Sequence, residues 1–166
     1  MIDPAWVHVK LAYEMLLFIL NEPENRVPLK ELKRIISRQF VGRMMHLFQS
    51  EDARERLMMQ KVLHRIYGRF KSYRPFIRQS IRNEFHMFVY ESNYHCGIAE
   101  ILEILVSIIN GFSLPVRPEH VDLLETSLLP LMITSQLRMF YPQLLACLSQ
   151  YIEKGSCHLL QFAHLM

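Results

Sequence analysis

Aspartate, glycine and cysteine are all scarce in this chain, and each shortage closes off a class of function. Only three aspartates occur, Asp3, Asp52 and Asp122, two of them at expected helix caps. That leaves no acid cluster of the kind that holds a metal or a phosphate-bound cation. Three cysteines (Cys96, Cys147, Cys157) are an odd number without metal-ligand spacing; they fit reduced thiols in an intracellular protein. Asp3 and Pro4 interrupt the start before any apolar run forms, unlike a signal peptide. The most apolar region, Thr126 to Ile152, is broken by Pro130, Arg138 and Pro142, so a membrane span of about 20 clean apolar residues is missing. The patterns G-x-x-x-x-G-K-[ST], H-E-x-x-H, C-x-x-C and G-x-S-x-G do not occur either. Eight histidines are scattered, and His86 and His95 have no histidine partner at i+4. The expectation is a soluble protein that is not an enzyme, with no catalytic residue, metal or cofactor.

What the chain does have is apolar content in helical order. Of its 166 residues 51% are hydrophobic, enough for a single-domain core, and five glycines with eight prolines leave little for long loops. The alternation of a half-buried strand is missing, so the fold class is all-α. Within it a repeat is legible. LHRIYGRF at 63–70 slides onto LVSIINGF at 105–112 with a shift of 42, laying Leu63 on Leu105, Ile66 on Ile108 and Phe70 on Phe112. Arg74-Pro75 and Arg117-Pro118 follow, 43 residues apart. A helix, a break and a proline-started helix at a period of 42–43 is the mark of a helical-pair solenoid. The expected architecture is HEAT-like: about four antiparallel helix pairs in a right-handed superhelix, one domain over 1–166 belonging to a longer solenoid.

Element by element, Asp3-Pro4 reads as the start of a helix running to about Leu20, with a turn over 21–25. Pro28 starts a second helix and 40–48 a third, with their boundary near Ser37–Phe40. Ser50-Glu51-Asp52 caps a helix carrying Leu57, Val62, Leu63, Ile66 and Phe70, with Gly68 placed as its terminating glycine. Pro75 opens the partner helix. Residues 93–97 turn into a helix over 97–110, ended by Asn110-Gly111, residues that tolerate left-handed backbone. Pro118 starts a helix to about Met132, a last pair begins near Ser135 and at Pro142, and Gly155-Ser156 breaks the chain before a short apolar tail.

Charge is uneven. Nine basic residues (Arg54, Arg56, Lys61, Arg65, Arg69, Lys71, Arg74, Arg78, Arg82) face one acid, Glu55, over 54–82. That block carries +8, which leaves −5 for the rest of a chain of net charge +3. A local basic block predicts an acidic partner. Stacked repeats bring equivalent positions side by side, so His64, Arg65, Arg74, Arg117 and His120 are expected to converge beside a stripe of Ile104, Ile108 and Phe112, with Tyr67 facing it. An apolar stripe with a basic rim suits a short peptide with apolar anchors and a carboxylate or phosphate, which an arginine fork binds bidentately. The plainer alternative pairs Arg65 and Arg74 with Glu91, Glu100 or Glu103 and leaves Tyr67 in the core. A second alternative gives the 54–82 block to nucleic acid or another acidic partner; Phe70, Tyr73 and Phe76 at core-facing positions argue against it.

The strings SEDARER (50–56), LHRIYGRF (63–70), GIAEILEIL (97–105) and SIINGFSLP (107–115) resemble the B-prime (B56-type) family of regulatory subunits of protein phosphatase 2A, and weaker similarity runs from Trp6 to Lys154. The resemblance implies a HEAT-like subunit that recruits substrates to the phosphatase, with its scaffold and catalytic subunits as partners, in the cytoplasm and nucleus. It implies a site for Leu-x-x-Ile-x-Glu segments, acidic or phosphorylated. Carried over, the peptide-binding residues are His64, Arg65, Tyr67, Arg74, Ile104, Ile108, Phe112, Arg117 and His120. Tyr67, Arg74, Ile104 and Ile108 would hold the apolar part. His64 and Arg65 would meet the glutamate or a phosphate, and Arg117 and His120 further acids. Arg117 stands where lysine is usual, Ala53 where proline is and Cys96 where asparagine is, and Gly155 to Met166 are expected to depart from the family. The chain resembles its first part only, and the Leu159–Met166 tail is expected to cover the resulting end or to promote self-association.

Overall fold

The computed structural model describes residues 5–23, 26–92 and 94–163, with side chains as far as residue 155. The cap expected at Asp3-Pro4 and the apolar tail's side chains lie outside the described residues. All regular structure among the described residues is helical: α1 (Trp6–Asn21), α2 (Leu29–Ile35), α3 (Arg38–His46), α4 (Ala53–Arg69), α5 (Arg74–Met87), α6 (Ile98–Asn110), α7 (Pro118–Leu123) and α8 (Tyr141–Ala163). No described helix is long and apolar enough to cross a membrane. The helices group into two compact units, Met1–Ile81 and Arg82–Met166, divided inside α5.

In the first unit the caps follow the sequence. Ser37 Oγ accepts from the Phe40 amide and starts α3. Asp52 accepts from the Arg54 amide and starts α4. Each satisfies an amide that the first helical turn leaves without a partner. The Arg54 guanidinium, bonded to both Asp52 oxygens, holds that carboxyl down to about 2.

α1 and α4 lie parallel. Arg54 sits 4.7 Å over the Trp6 ring at their starts, and the Tyr13 hydroxyl donates to Glu55 at 3.1 Å. At their ends Arg69 donates to the carbonyls of Ile19 (3.1 Å), Leu20 (2.9 Å) and Val27 (2.6 Å). One guanidinium thus satisfies carbonyls that the last turn of α1 cannot pair internally. Burial, with the Glu55 carboxylate beside it, pushes the Tyr13 hydroxyl's pKa up. The core is Leu32, Ile36, Met45, Phe48 and the inner stripe of α4 (Met59, Val62, Leu63, Ile66), closed by Phe70 stacked on Tyr73.

In the second unit α6 and α8 also lie parallel, and the offset between them reproduces the repeat. Cys147 donates to the Leu102 carbonyl 45 residues back, Gln143 to Glu103 40 back, and Lys154 to the Phe112 carbonyl 42 back. Seven residues of α6 are buried, from Ile98 to Ile109, leaving Glu103 and Ser107 outward. Burial raises the Cys147 thiol to about 12. A buried pair, His95 Nε2 and Glu84 at 3.3 Å, holds the entry to α6, where His95 Nδ1 accepts from the Gly97 amide.

Three expectations need correcting, while the end of α6 at Asn110-Gly111 stands. Gly68 lies inside the last turn of α4, and Gly111 ends α6 at φ −80°; no described glycine has positive φ. Neither helix needs a left-handed terminator, because Phe70 and Gly111 close the ends with ordinary backbone bonds to Ile66, Ser107 and Ile108. The helix expected near Ser135 is a three-residue 3-10 turn, Leu137–Met139. α8 runs through Gly155 and Ser156 to Ala163; a helical glycine costs about 1 kcal/mol, too little to stop a 23-residue helix.

Candidate functional site

Four of the nine candidate residues lie in the first unit. His64 and Arg65, late in α4, are exposed. Among the described residues no hydrogen bond or ion pair engages either one. The residues before and behind them, Leu63 and Ile66, carry the packing, so the helical period turns 64 and 65 outward.

Tyr67 and Arg74 are different in kind. Their junction is the Lys71–Tyr73 turn, which joins α4 to α5. Arg74 donates from Nε to the Tyr67 carbonyl (3.0 Å) and from Nη2 to the Gly68 carbonyl (3.3 Å), with its guanidinium 5.2 Å from the Tyr67 ring centre. Arg78, one turn on, donates to the Tyr67 hydroxyl at 3.3 Å. Tyr67 is therefore bracketed by two cations, which fix both its ring and its hydroxyl. The plainer alternative paired Arg74 with a carboxylate; its partners are carbonyls of its own unit. Arg78 was missed from sequence, although its i+4 spacing from Arg74 was the available signal.

The other five lie in the second unit. Ile104 and Ile108 on α6 are 2% and 3% exposed, so their side chains belong to the packing. The Phe112 and His120 rings lie flat on one another, centroids 3.6 Å apart and 2° from parallel. The pair is pinned from both sides, by Lys154 on the Phe112 carbonyl and by the Tyr151 hydroxyl on the His120 carbonyl (2.9 Å). His120 Nε2 lies 3.3 Å from Glu119. Arg117 is exposed at the N-cap of α7.

The basic block is mostly committed to its own chain. Arg54 holds Asp52, Arg56 the Ser50 and Glu51 carbonyls, Arg69 the end of α1, Arg74 and Arg78 Tyr67, and Arg82 both Asp122 and Thr126. Lys61, Arg65 and Lys71 remain exposed without such a contact among the described residues. Sequence counting weighed bases against acids; the structure satisfies them largely with backbone carbonyls. No group of three or more described His, Cys, Asp or Glu side chains is placed to hold a metal ion.

The first unit offers exposed charges at His64 and Arg65, and the second offers packed apolar side chains at Ile104, Ile108 and Phe112. Residues 1–165 match the family described as Protein phosphatase 2A regulatory B subunit (B56 family). The B' theta isoform of Arabidopsis thaliana, a 57 kDa regulatory subunit of serine/threonine protein phosphatase 2A, is 50% identical over 152 residues, 92% of this chain and 30% of that protein. The B' eta isoform of the same plant is 49% identical over 92% of this chain and 29% of its own length. The delta isoform of the 56 kDa regulatory subunit from Homo sapiens is 44% identical over 93% and 25%. The chain thus spans less than a third of the length of these relatives. The family match passes Lys154, where the likeness was expected to end, and reaches residue 165.

Proposed function

The chain belongs to the B56 family of protein phosphatase 2A regulatory B subunits, and from that membership we propose that it recruits substrates to the phosphatase without catalysing anything itself, by holding Leu-x-x-Ile-x-Glu segments. The observation that carries this reading is the exposed pair His64 and Arg65, which no hydrogen bond or ion pair engages among the described residues. They receive the peptide's glutamate or a phosphate. Tyr67, held in place by Arg74 and Arg78, takes the apolar anchors together with Ile104 and Ile108, whose burial makes them floor and not rim. Arg117 and His120 serve further acids. The scaffold and catalytic subunits of the phosphatase are the proposed larger partners, in cytoplasm and nucleus.

Magnitudes fit a transient site. Burying a Leu and an Ile contributes roughly 1.5–3 kcal/mol each. A charged hydrogen bond adds about 1.5–3 kcal/mol. Together these reach at most about 9 kcal/mol before ordering costs, so the complex is micromolar or weaker. Fluorescence anisotropy of a Leu-x-x-Ile-x-Glu peptide, titrated with the chain beside a control with Leu and Ile as Ala, tests the reading. Salt-sensitive binding lost in the control supports it; no binding by a folded chain refutes it. RNA as the ligand of the basic block is the lesser reading, because six of nine bases are already engaged within the chain.

A further inference from the structure

The outward face of α4 carries charge of one sign only. Lys61, His64 and Arg65 are exposed there, and no hydrogen bond or ion pair engages any of them among the described residues. Lys61 lies four residues before Arg65 and three before His64, so the helical period sets all three on one face. Gly68, a further turn on, continues that face, and a Cβ built there would meet nothing within 4 Å. The space over it is open.

A solvated helix face ordinarily interleaves bases with acids three or four residues apart. This face has none. Glu55 is the one acid of α4, and it is engaged by Ser50 at 2.6 Å and Tyr13 at 3.1 Å. No acid follows it in the chain before Glu84. Lys61 and Arg65 therefore repel each other across one turn, and an anionic ligand lying along the face supplies the charge that α4 itself lacks.

The basic row also has a direction. Tyr67, His64 and Lys61 stand at three-residue intervals, a single ridge slanting across α4. In the recruiting function proposed above, on which this inference rests, the apolar anchors lie at the Tyr67 end and the glutamate at His64 and Arg65. A segment that leaves its glutamate along the same ridge passes next over Lys61. One helical turn rises about 5.4 Å, and two residues of extended chain span about 7 Å. An extended segment turns alternate side chains the same way. The side chains it presents to α4 are thus the isoleucine, the glutamate and the residue two beyond the glutamate.

We propose that Lys61 decides which segments this chain prefers, selecting those with a second carboxylate two residues beyond the glutamate, Leu-x-x-Ile-x-Glu-x-Glu. Its ammonium is a point charge on a flexible stem, so it reads the sign of that residue. This role is separate from that of Arg117 and His120, which lie in the second unit.

Fluorescence anisotropy of the full 166-residue chain with two peptides, Leu-x-x-Ile-x-Glu-x-Glu and Leu-x-x-Ile-x-Glu-x-Gln, is the test. Wild type is expected to bind the first about two- to fivefold more tightly, the range of an exposed ion pair, and to lose that gain at high salt. Lys61→Gln should bind the two alike. Lys61→Glu should prefer a third peptide ending Glu-x-Lys, a reversal that a merely structural side chain would not produce. Unchanged helical circular dichroism separates these losses from unfolding. A preference undiminished in Lys61→Gln overturns the proposal and gives the second carboxylate to Lys71, Arg117 or His120. Equal binding of the two peptides by wild type also overturns it, and leaves the recruiting function standing. Binding of neither peptide refutes that function and this inference with it.

Discussion

The candidate residues of the two units stand in opposite relation to their own packing. In the first unit His64 and Arg65 lie outside the packing, and among the described residues nothing in the chain depends on them. In the second unit Ile104, Ile108, Phe112 and His120 are part of the packing, pinned by Lys154 and Tyr151. The exposed candidate charges are therefore separable from stability here, and the apolar candidates are not. The same contrast runs inside the basic block, between Arg69, which joins three carbonyls, and Lys71, which joins none described.

The largest effect belongs to the packed residues. Ile108→Ala removes a buried side chain from α6 and should cost about 3 kcal/mol in urea unfolding; a cost under a third of that would mean the stripe is surface after all. Arg69→Ala comes next. It strips the end of α1 of its cap, and charged hydrogen bonds to carbonyls set the loss at about 2–3 kcal/mol, while Lys71→Ala stays within about 0.5 kcal/mol. Arg69→Lys should recover little, since an ammonium cannot span three carbonyls as the fork does. Equal midpoints for the Arg69 and Lys71 variants would erase the distinction drawn inside the block.

Arg65→Ala sharpens the comparison from the other side. Its unfolding midpoint should not move, while peptide affinity in the anisotropy assay falls about tenfold or more, the equivalent of one charged hydrogen bond. If stability and affinity fell together, the exposed charges would not be separable from stability. The smallest effect concerns thiols. Cys147, buried and raised to about 12, should resist alkylation at pH 8 in the native chain, whereas half-buried Cys96 reacts, as peptide mapping by mass spectrometry would read. Comparable labelling of the two would show that α6 and α8 separate readily.

Local signals carried most of the fold in the sequence. The cap at Asp52, the proline-led starts at Pro28, Pro75 and Pro118, and the apolar stripes of α4 and α6 are read within one or two helical turns. The period survives as the 40–45-residue offsets between α6 and α8. What could not be read depends on partners far along the chain. Arg69 finds its carbonyls 42 to 50 residues away, so no count of nearby acids reveals that it is satisfied. Glycines at 68, 111 and 155 were read as punctuation because glycine tolerates left-handed backbone, yet no described glycine uses it. Of the candidate site, the outward turn of His64 and Arg65 follows from helical period alone; the Phe112–His120 stack and the bracket on Tyr67 required the folded chain.

His95 carries a consequence of its own. Its Nδ1 accepts the Gly97 amide, so the lone pair must sit there and the ring's single hydrogen on Nε2, directed at Glu84. An imidazole free in water interchanges its two tautomers; this one is confined to one of them by the backbone it caps. In a nitrogen-15 spectrum it should appear as a single Nε2–H tautomer with a slowly exchanging proton, an internal gauge of whether the entry to α6 is intact.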